Sequence, residues 1–361
     1  MRKCSRCGFP WRIGRFCEWH SDGTLAGALR PKIAFIFLEV AEWDSIYEEL
    51  SSALGIPLDR IVLEAQKNIG KGIHEMIRAI YHINLKRIPA NRLIRPKWLI
   101  SLIIRSLRTD LAFLGAGSPS VDDYRAGEYI VLRMTDPWIN PIVVGNCLGI
   151  YESTEDMPGS DAEYCVEGGD LIMKLSHAKR KEELEERLYL EEATPGEGSL
   201  SYERCPECGV PMMIARALEW DVKRGIIRNR LSGEREEIIA VESINSIMRE
   251  LEKELGGEVW GILYEAQKDY SRRVLKDQEI KNVEVFWDHY LQNMGLRGLG
   301  YPERFDRSHD SITVEIKPAY NQVLYAAKLA AGFEKATGRR SRTEWEVREL
   351  HQGRYKISAI D

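Results

Sequence analysis

Cys4-Ser5-Arg6-Cys7-Gly8-Phe9-Pro10 returns, 201 positions later, as Cys205-Pro206-Glu207-Cys208-Gly209-Val210-Pro211. The same offset aligns Glu18-Trp19 with Glu219-Trp220, and Ile46, Glu49, Leu50, Leu54 and Gly55 with Ile247, Glu250, Leu251, Leu255 and Gly256. It also superposes Glu64-Ala65-Gln66-Lys67 on Glu265-Ala266-Gln267-Lys268. Between 4–67 and 205–268, 20 of 64 positions are identical without a gap. Unrelated stretches do not hold such agreement at constant register, so the chain reads as an internal duplication. Residues 1 to about 176 and about 203 to 361 would be two copies of one module.

The match continues more loosely. Ile130-Val131-Leu132 with Pro137-Trp138 faces Ile312-Thr313-Val314 with Pro318 and Tyr320, and Glu163-Tyr164-Cys165-Val166 faces Glu344-Trp345-Glu346-Val347. Between the copies, the charged run from Lys179 to Glu192 precedes Thr194-Pro195-Gly196-Glu197-Gly198-Ser199, a solvated helix followed by a linker. A chain of 361 residues suits two domains.

Each copy is expected to begin with a short hairpin, from Arg12 to Phe16 and the Asp22-Gly23 turn in the first. An amphipathic helix follows, with Ile46, Leu50 and Leu54 on one side and Gly55 past its end. A second helix starts near Leu58 and runs through Ile61, Ala65, Ile69, Ile73 and Ile77; a third spans Pro96 to Leu114. Tyr129–Met134, Cys147–Tyr151, Asp170–Leu175, Ser311–Ile316 and Arg354–Ile357 read as strands, and Lys328–Thr337 as helical. Helices first and strands afterwards predict an α+β fold, with helices packed on one face of an antiparallel sheet.

The run Ile46-x-x-Glu49-Leu50-x-x-x-Leu54-Gly55, then Ile61, Ile69-Gly70, Pro137-Trp138, Cys147-Leu148-Gly149 and Glu163-Tyr164-Cys165-x-x-Gly168-Gly169-Asp170, resembles the 4-vinyl reductase domain. That domain forms the sensor part of aromatic-responsive bacterial regulators and is similar in fold to vesicle-tethering subunits. The resemblance implies a small-molecule pocket between helices and sheet. It divides the chain into a metal knuckle and hairpin at 1–30, a 4-vinyl-reductase-like domain at 31–176, a charged linker at 177–202, a second knuckle and hairpin at 203–232, and a second such domain at 233–361. Cys147 and Cys165 have no counterparts in the second copy, where Glu346 stands in place of Cys165.

A Cys-x-x-Cys-Gly knuckle wraps two thiolates around one metal, and a tetrahedral structural site needs four such ligands. Two ligand sets are open. One joins the copies through Cys4, Cys7, Cys205 and Cys208; the other is a local finger of Cys4, Cys7, Cys17 and His20. Internal comparison favours the first, because Leu218 and Asp221 stand where Cys17 and His20 would be, while both knuckle cysteines persist. Zinc is the expected metal, and iron in a rubredoxin-like centre is the alternative.

For an organic ligand the candidates are Gln66 and Gln267, which fall inside the apolar arcs of counterpart helices, together with His74, Trp98 and Trp138. A buried amide must be hydrogen-bonded, so either glutamine could serve a neighbouring backbone instead. Glu64 and Lys67 are expected on the solvated side. From Met76 to Thr109 stand eight basic residues (Arg78, Lys86, Arg87, Arg92, Arg95, Lys97, Arg105 and Arg108) and no acidic one. This segment could grip an acidic protein partner or an anionic membrane surface, or be a solvated basic face.

The formal net charge of −5 does not favour nucleic-acid binding by the whole surface. No signal-like segment or membrane-length apolar run is read, so the expected location is cytoplasmic, where seven cysteines serve metal rather than disulfides. No Gly-x-Ser-x-Gly, His-Glu-x-x-His or strand-linked Gly-x-Gly-x-x-Gly occurs. The sequence therefore points to a metal-stabilised carrier, sensor or accessory factor for a small apolar or aromatic molecule, a hydrocarbon-binding role with tetrapyrroles among the candidates. An enzyme or electron-transfer component is the second reading, and a docking scaffold the third.

Overall fold

The computed structural model describes residues 3–11, 13–28, 32–81, 95–156, 159–178, 192–348 and 351–360. In the first half, α1 (Ile13–Phe16), β1 (Cys17–Trp19), β2 (Leu25–Gly27) and β3 (Ala34–Glu39) lead into the helices α2 (Val40–Leu54), α3 (Asp59–Tyr81) and α4 (Lys97–Leu114). Then come β4 (Ser118–Arg125), β5 (Tyr129–Thr135), α5 (Asn140–Glu155), β6 (Ser160–Glu167) and β7 (Asp170–His177). The second half repeats the order: α6 (Met212–Ala217), β8 (Leu218–Asp221), β9 (Ile226–Asn229), β10 (Arg235–Ala240), α7 (Val241–Leu255), α8 (Glu258–Leu275) and α9 (Val283–Leu296). It closes with β11 (Pro302–Arg307), β12 (Ser311–Ile316), α10 (Gln322–Thr337), β13 (Ser341–Val347) and β14 (Gly353–Ala359). The fold is mixed α+β with antiparallel sheets, as the order of signals predicts.

Three sheets form. Two are four-stranded, β4-β5-β7-β6 and β11-β12-β14-β13; the third is six-stranded, β1-β2-β3-β10-β9-β8. The central sheet draws three strands from each half and is joined where β3 runs antiparallel to β10. Its join was not legible in the sequence. Ala34-Phe35-Ile36-Phe37-Leu38 is buried on both faces, so it lacks the alternation that marks a half-exposed strand.

The helices cross between halves. α2 packs on α8 and α7 on α3, while α3 also packs on α5 and α8 on α10. Trp43, Ile46 and Leu50 of α2 and Ile244, Ile247 and Leu251 of α7 meet in one core that spans both halves. Gly55 and Gly256, at counterpart positions, end the two helices with φ of 65° and 91°, backbone that glycine adopts without strain.

The α3–α5 contact is backbone to backbone. A Cβ added to Gly149 would lie 1.8 Å from the Lys67 carbonyl oxygen, and one on Gly145 would lie 2.5 Å from that of Leu63. Cys147–Tyr151, expected as a strand, therefore lies inside α5. Ile142, Val143, Val144, Leu148 and Tyr151 are all buried, so the helix shows no polar stripe, and a short apolar run does not distinguish a strand from a buried helix. The first hairpin is also shifted: Ile13–Phe16 forms one helical turn, and Cys17–Trp19 pairs with Leu25–Gly27.

Candidate metal centre

Each knuckle is closed by its own backbone. Cys4 N–H donates to Phe9 O at 2.8 Å and Gly8 N–H to Cys4 O at 3.0 Å; Cys205 and Gly209 repeat this with Val210 O and Cys205 O at 2.9 and 2.8 Å. Gly8 and Gly209 take φ of 71° and 77°, the left-handed backbone that lets the loop turn back on its cysteines. Lys3 bridges Pro10, and Arg204 bridges Pro211, at the same offset.

The two loops meet face to face. The sulfurs of Cys4, Cys7, Cys205 and Cys208 all lie within 4.8 Å of one another, placed to bind a metal ion. Cys4 Sγ is 3.7 Å from Cys205 Sγ, and Cys7 Sγ is 3.5 Å from Cys208 Sγ. A tetrahedral thiolate site with metal–sulfur bonds of about 2.3 Å has sulfurs roughly 3.7–3.8 Å apart. Both close contacts join residues at the offset of 201, an arrangement that suits a twofold axis through the site.

Backbone amides point at these sulfurs: Phe9 at Cys7, Val210 at Cys208, and Glu207 and Cys208 at Cys205. Burial pushes the Cys7 and Cys208 thiols up. At Cys205 burial is outweighed by the amides of Cys208 and Glu207 and by the neighbouring sulfurs, and the thiol comes down to about 7. A bound cation would favour all four thiolates. Outside the sulfurs the symmetry breaks. Ser5 donates its hydroxyl to Glu207 Oε2 at 2.5 Å, whereas the counterparts of these residues are Pro206 and Arg6, a contact for which the sequence holds no signal.

Cys17 and His20 are not part of this group among the described residues. Cys17 sits in the apolar cluster under the hairpins, where burial raises its thiol to about 12. His20 lies 3.6 Å from Glu18, and burial together with Lys32 lowers its pKa. Of the unmatched cysteines, Cys147 lies on α5 and Cys165 is exposed on β6.

The hairpins that carry the knuckles also hold the opposite halves. Trp19 Nε1 donates to Leu296 O at 2.9 Å, at the end of α9, and Trp220 Nε1 to Phe113 O at 3.0 Å, near the end of α4. Beneath the metal group, Phe9, Ile13, Trp19, Ile214, Trp220 and Leu296 belong to a single apolar cluster fed by both halves.

The ligand candidates separate. Gln66 and Gln267 are fully buried. Gln66 Nε2 donates to Ser243 O at 2.8 Å and Gln267 Nε2 to Ser271 Oγ at 3.0 Å; both Oε1 atoms lack a hydrogen-bond partner among the described residues. His74 is buried on α3, with Nδ1 3.5 Å from Glu75 Oε1, and stands apart from the sulfurs. Trp138 is partly buried between the main core and the cluster over β4–β7. Trp98, on α4, is 67% exposed. Lys67, expected in solvent, is 3% exposed and pairs with Glu152 at 2.5 Å; its counterpart Lys268 pairs with Glu334 at 3.2 Å. An amphipathic wheel hid this, because the polar side of α3 is covered by α5.

Of the basic segment, residues 82–94 lie outside the described residues, as do the side chains of 76–81. Arg95 is buried against Glu155 at 3.1 Å, while Lys97, Arg105 and Arg108 are exposed. An open groove lined by Glu49, Glu258, Glu265 and Asp269 is acidic and contains none of the predicted ligand residues. No helix among the described residues is long and apolar enough to cross a membrane. No family model and no curated protein matches the sequence.

Proposed function

We propose that the chain is a metal-stabilised binding protein, in which one zinc ion on Cys4, Cys7, Cys205 and Cys208 clamps two copies of a duplicated 4-vinyl-reductase-like module. The observation that carries this reading is the meeting of four sulfurs from two knuckles 201 residues apart. Zinc suits four thiolates without redox chemistry, and a structural site of this kind adds its binding energy to folding. Its place in the cytoplasm, where thiols stay reduced, belongs to the same proposal.

The ligand of the modules is a small apolar or aromatic molecule with a polar end, and the protein acts as its carrier, sensor or accessory factor. Support comes from the sequence resemblance and from the counterpart Gln66 and Gln267, each with a buried amide oxygen that no described residue satisfies. A buried acceptor left unbonded costs about 1–3 kcal/mol, so a donor on a ligand is a fitting partner.

Native mass spectrometry of the purified full chain, compared with its denatured mass, tests the proposal. One metal ion together with an organic adduct supports it. A chain that carries no metal, or two ions and no adduct, contradicts it. A second reading, electron transfer through iron, is favoured by the amides aimed at the sulfurs, since such bonds tune cluster potentials; visible absorption that bleaches on reduction would select it.

A further inference from the structure

We infer that the outer face of α4 is a docking surface for an anionic lipid bilayer. This inference is independent of the ligand and of the metal.

The face is unusual within this molecule. Trp98 and Leu102, one helical turn apart, are 67% and 58% exposed, and Trp98 is the most exposed large aromatic residue of the described chain. Arg105 falls on the same stripe, seven residues after Trp98, and is exposed. Lys97 and Arg108 line one flank of that stripe. Arg108 reaches the Lys223 carbonyl oxygen at 3.3 Å, which brings the exposed Lys223 of the β8–β9 turn beside the end of α4. Near Lys97, which donates to the Asp122 carbonyl oxygen, the Asp122 carboxylate pairs with Arg133 at 2.9 Å, while Asp123 accepts from Tyr129 at 2.7 Å and keeps its charge, so Arg105 and Arg108 carry most of the basic character.

The opposite side of α4 is anchored. It lies against β4 with Ile100, half a turn from Trp98, buried; at the far end of the helix Ala112 and Phe113, on the same side as Trp98 and Leu102, are buried too, so the open apolar face is confined to the first turns. The apolar pair therefore forms an exposed ridge on an anchored helix, with cations beside it. A protein partner would need a matching cleft for such a ridge, whereas the headgroup region of a bilayer takes a tryptophan and a leucine without prior shape. Charge selects the lipid. The whole chain carries −5, so an anionic surface repels most of it and attracts it through this basic face, which sets the orientation.

The test uses the full chain with its metal and two kinds of vesicle, phosphatidylcholine alone and phosphatidylcholine mixed with phosphatidylglycerol. The expected result is co-sedimentation with the mixed vesicles only, weakening as salt is raised. Trp98→Ala with Leu102→Ala should weaken it by more than about tenfold. Arg105→Gln and Arg108→Gln should each cost about fivefold, the value of one basic residue at an anionic surface. The substituted side chains are exposed, so metal content and melting temperature should match the parent and separate lost docking from lost folding. A blue shift of tryptophan emission on binding that disappears in Trp98→Phe would assign the contact to this face. Absence of co-sedimentation at low salt overturns the inference. So does binding unchanged in both sets of variants, or a chain dimer that Trp98→Ala with Leu102→Ala dissociates, which would give the face to a second copy.

Discussion

Phe37 and Ile238 stand directly opposite each other where β3 meets β10, and they are also counterparts at the offset of 201. A strand pairing whose central pair consists of equivalent residues has a local twofold axis through that pair. The sulfur contacts, Cys4 with Cys205 and Cys7 with Cys208, obey the same rule. The central sheet and the metal group are thus two expressions of one symmetric junction. Each half contributes a hairpin, a central strand and a knuckle to it.

The reciprocal tryptophan bonds should carry similar weight. Trp19→Phe and Trp220→Phe each leave a buried carbonyl, Leu296 O or Phe113 O, without its indole donor. Each should lower unfolding free energy by about 1–3 kcal/mol in urea titrations of the metal-loaded protein. A loss confined to one of the two would mean that the junction is loaded from one side only.

Helix contact makes a sharper distinction among glycines. Gly149→Ala forces a methyl to 1.8 Å from the Lys67 carbonyl oxygen, which no rotamer change relieves, and should cost at least about 3 kcal/mol. Gly261→Ala, in the interior of α8 with open space around it, should instead stabilise by about 0.5–1 kcal/mol. Denaturation midpoints for the two variants should move in opposite directions.

Much of this was written in the chain, and the missing part has physical causes. The knuckles and the helix ends at Gly55 and Gly256 are local signals, and the structure carries them as closed loops and as the ends of α2 and α7. β3 was missed because burial on both faces removes alternation, β10 because it opens on three charged residues, and α5 because burial all round removes its stripe. The buried charges are the hardest case. Glu236, paired with Arg297 at 2.6 Å, and Lys67, paired with Glu152, lie on segments that look solvent-facing, because their partners are distant in sequence.

Glu237 gives a pH dependence. Its counterpart is Ile36; the side chain is buried, Oε2 has no hydrogen-bond partner among the described residues, and burial raises the carboxyl well above its ordinary 4.5 despite the nearby Arg235. Above the ordinary value the native state keeps a proton that the unfolded chain has released. The stabilisation is complete below about pH 4.5 and is lost as pH rises through the folded-state value. Glu237→Gln, which mimics the neutral acid, should flatten that slope and raise the melting temperature at about pH 8 more than at about pH 4.5. Melting curves across this range check it, and a destabilised variant at alkaline pH would count against a neutral buried carboxyl.

The shared metal is tested most directly by metal content per chain in the parent and in the Cys205→Ser, Cys208→Ser variant, with Cys17→Ser as the control. One ion per chain in the parent, none in the double variant and one in the control is the predicted result. Undiminished metal in the double variant would contradict a site shared between the two halves.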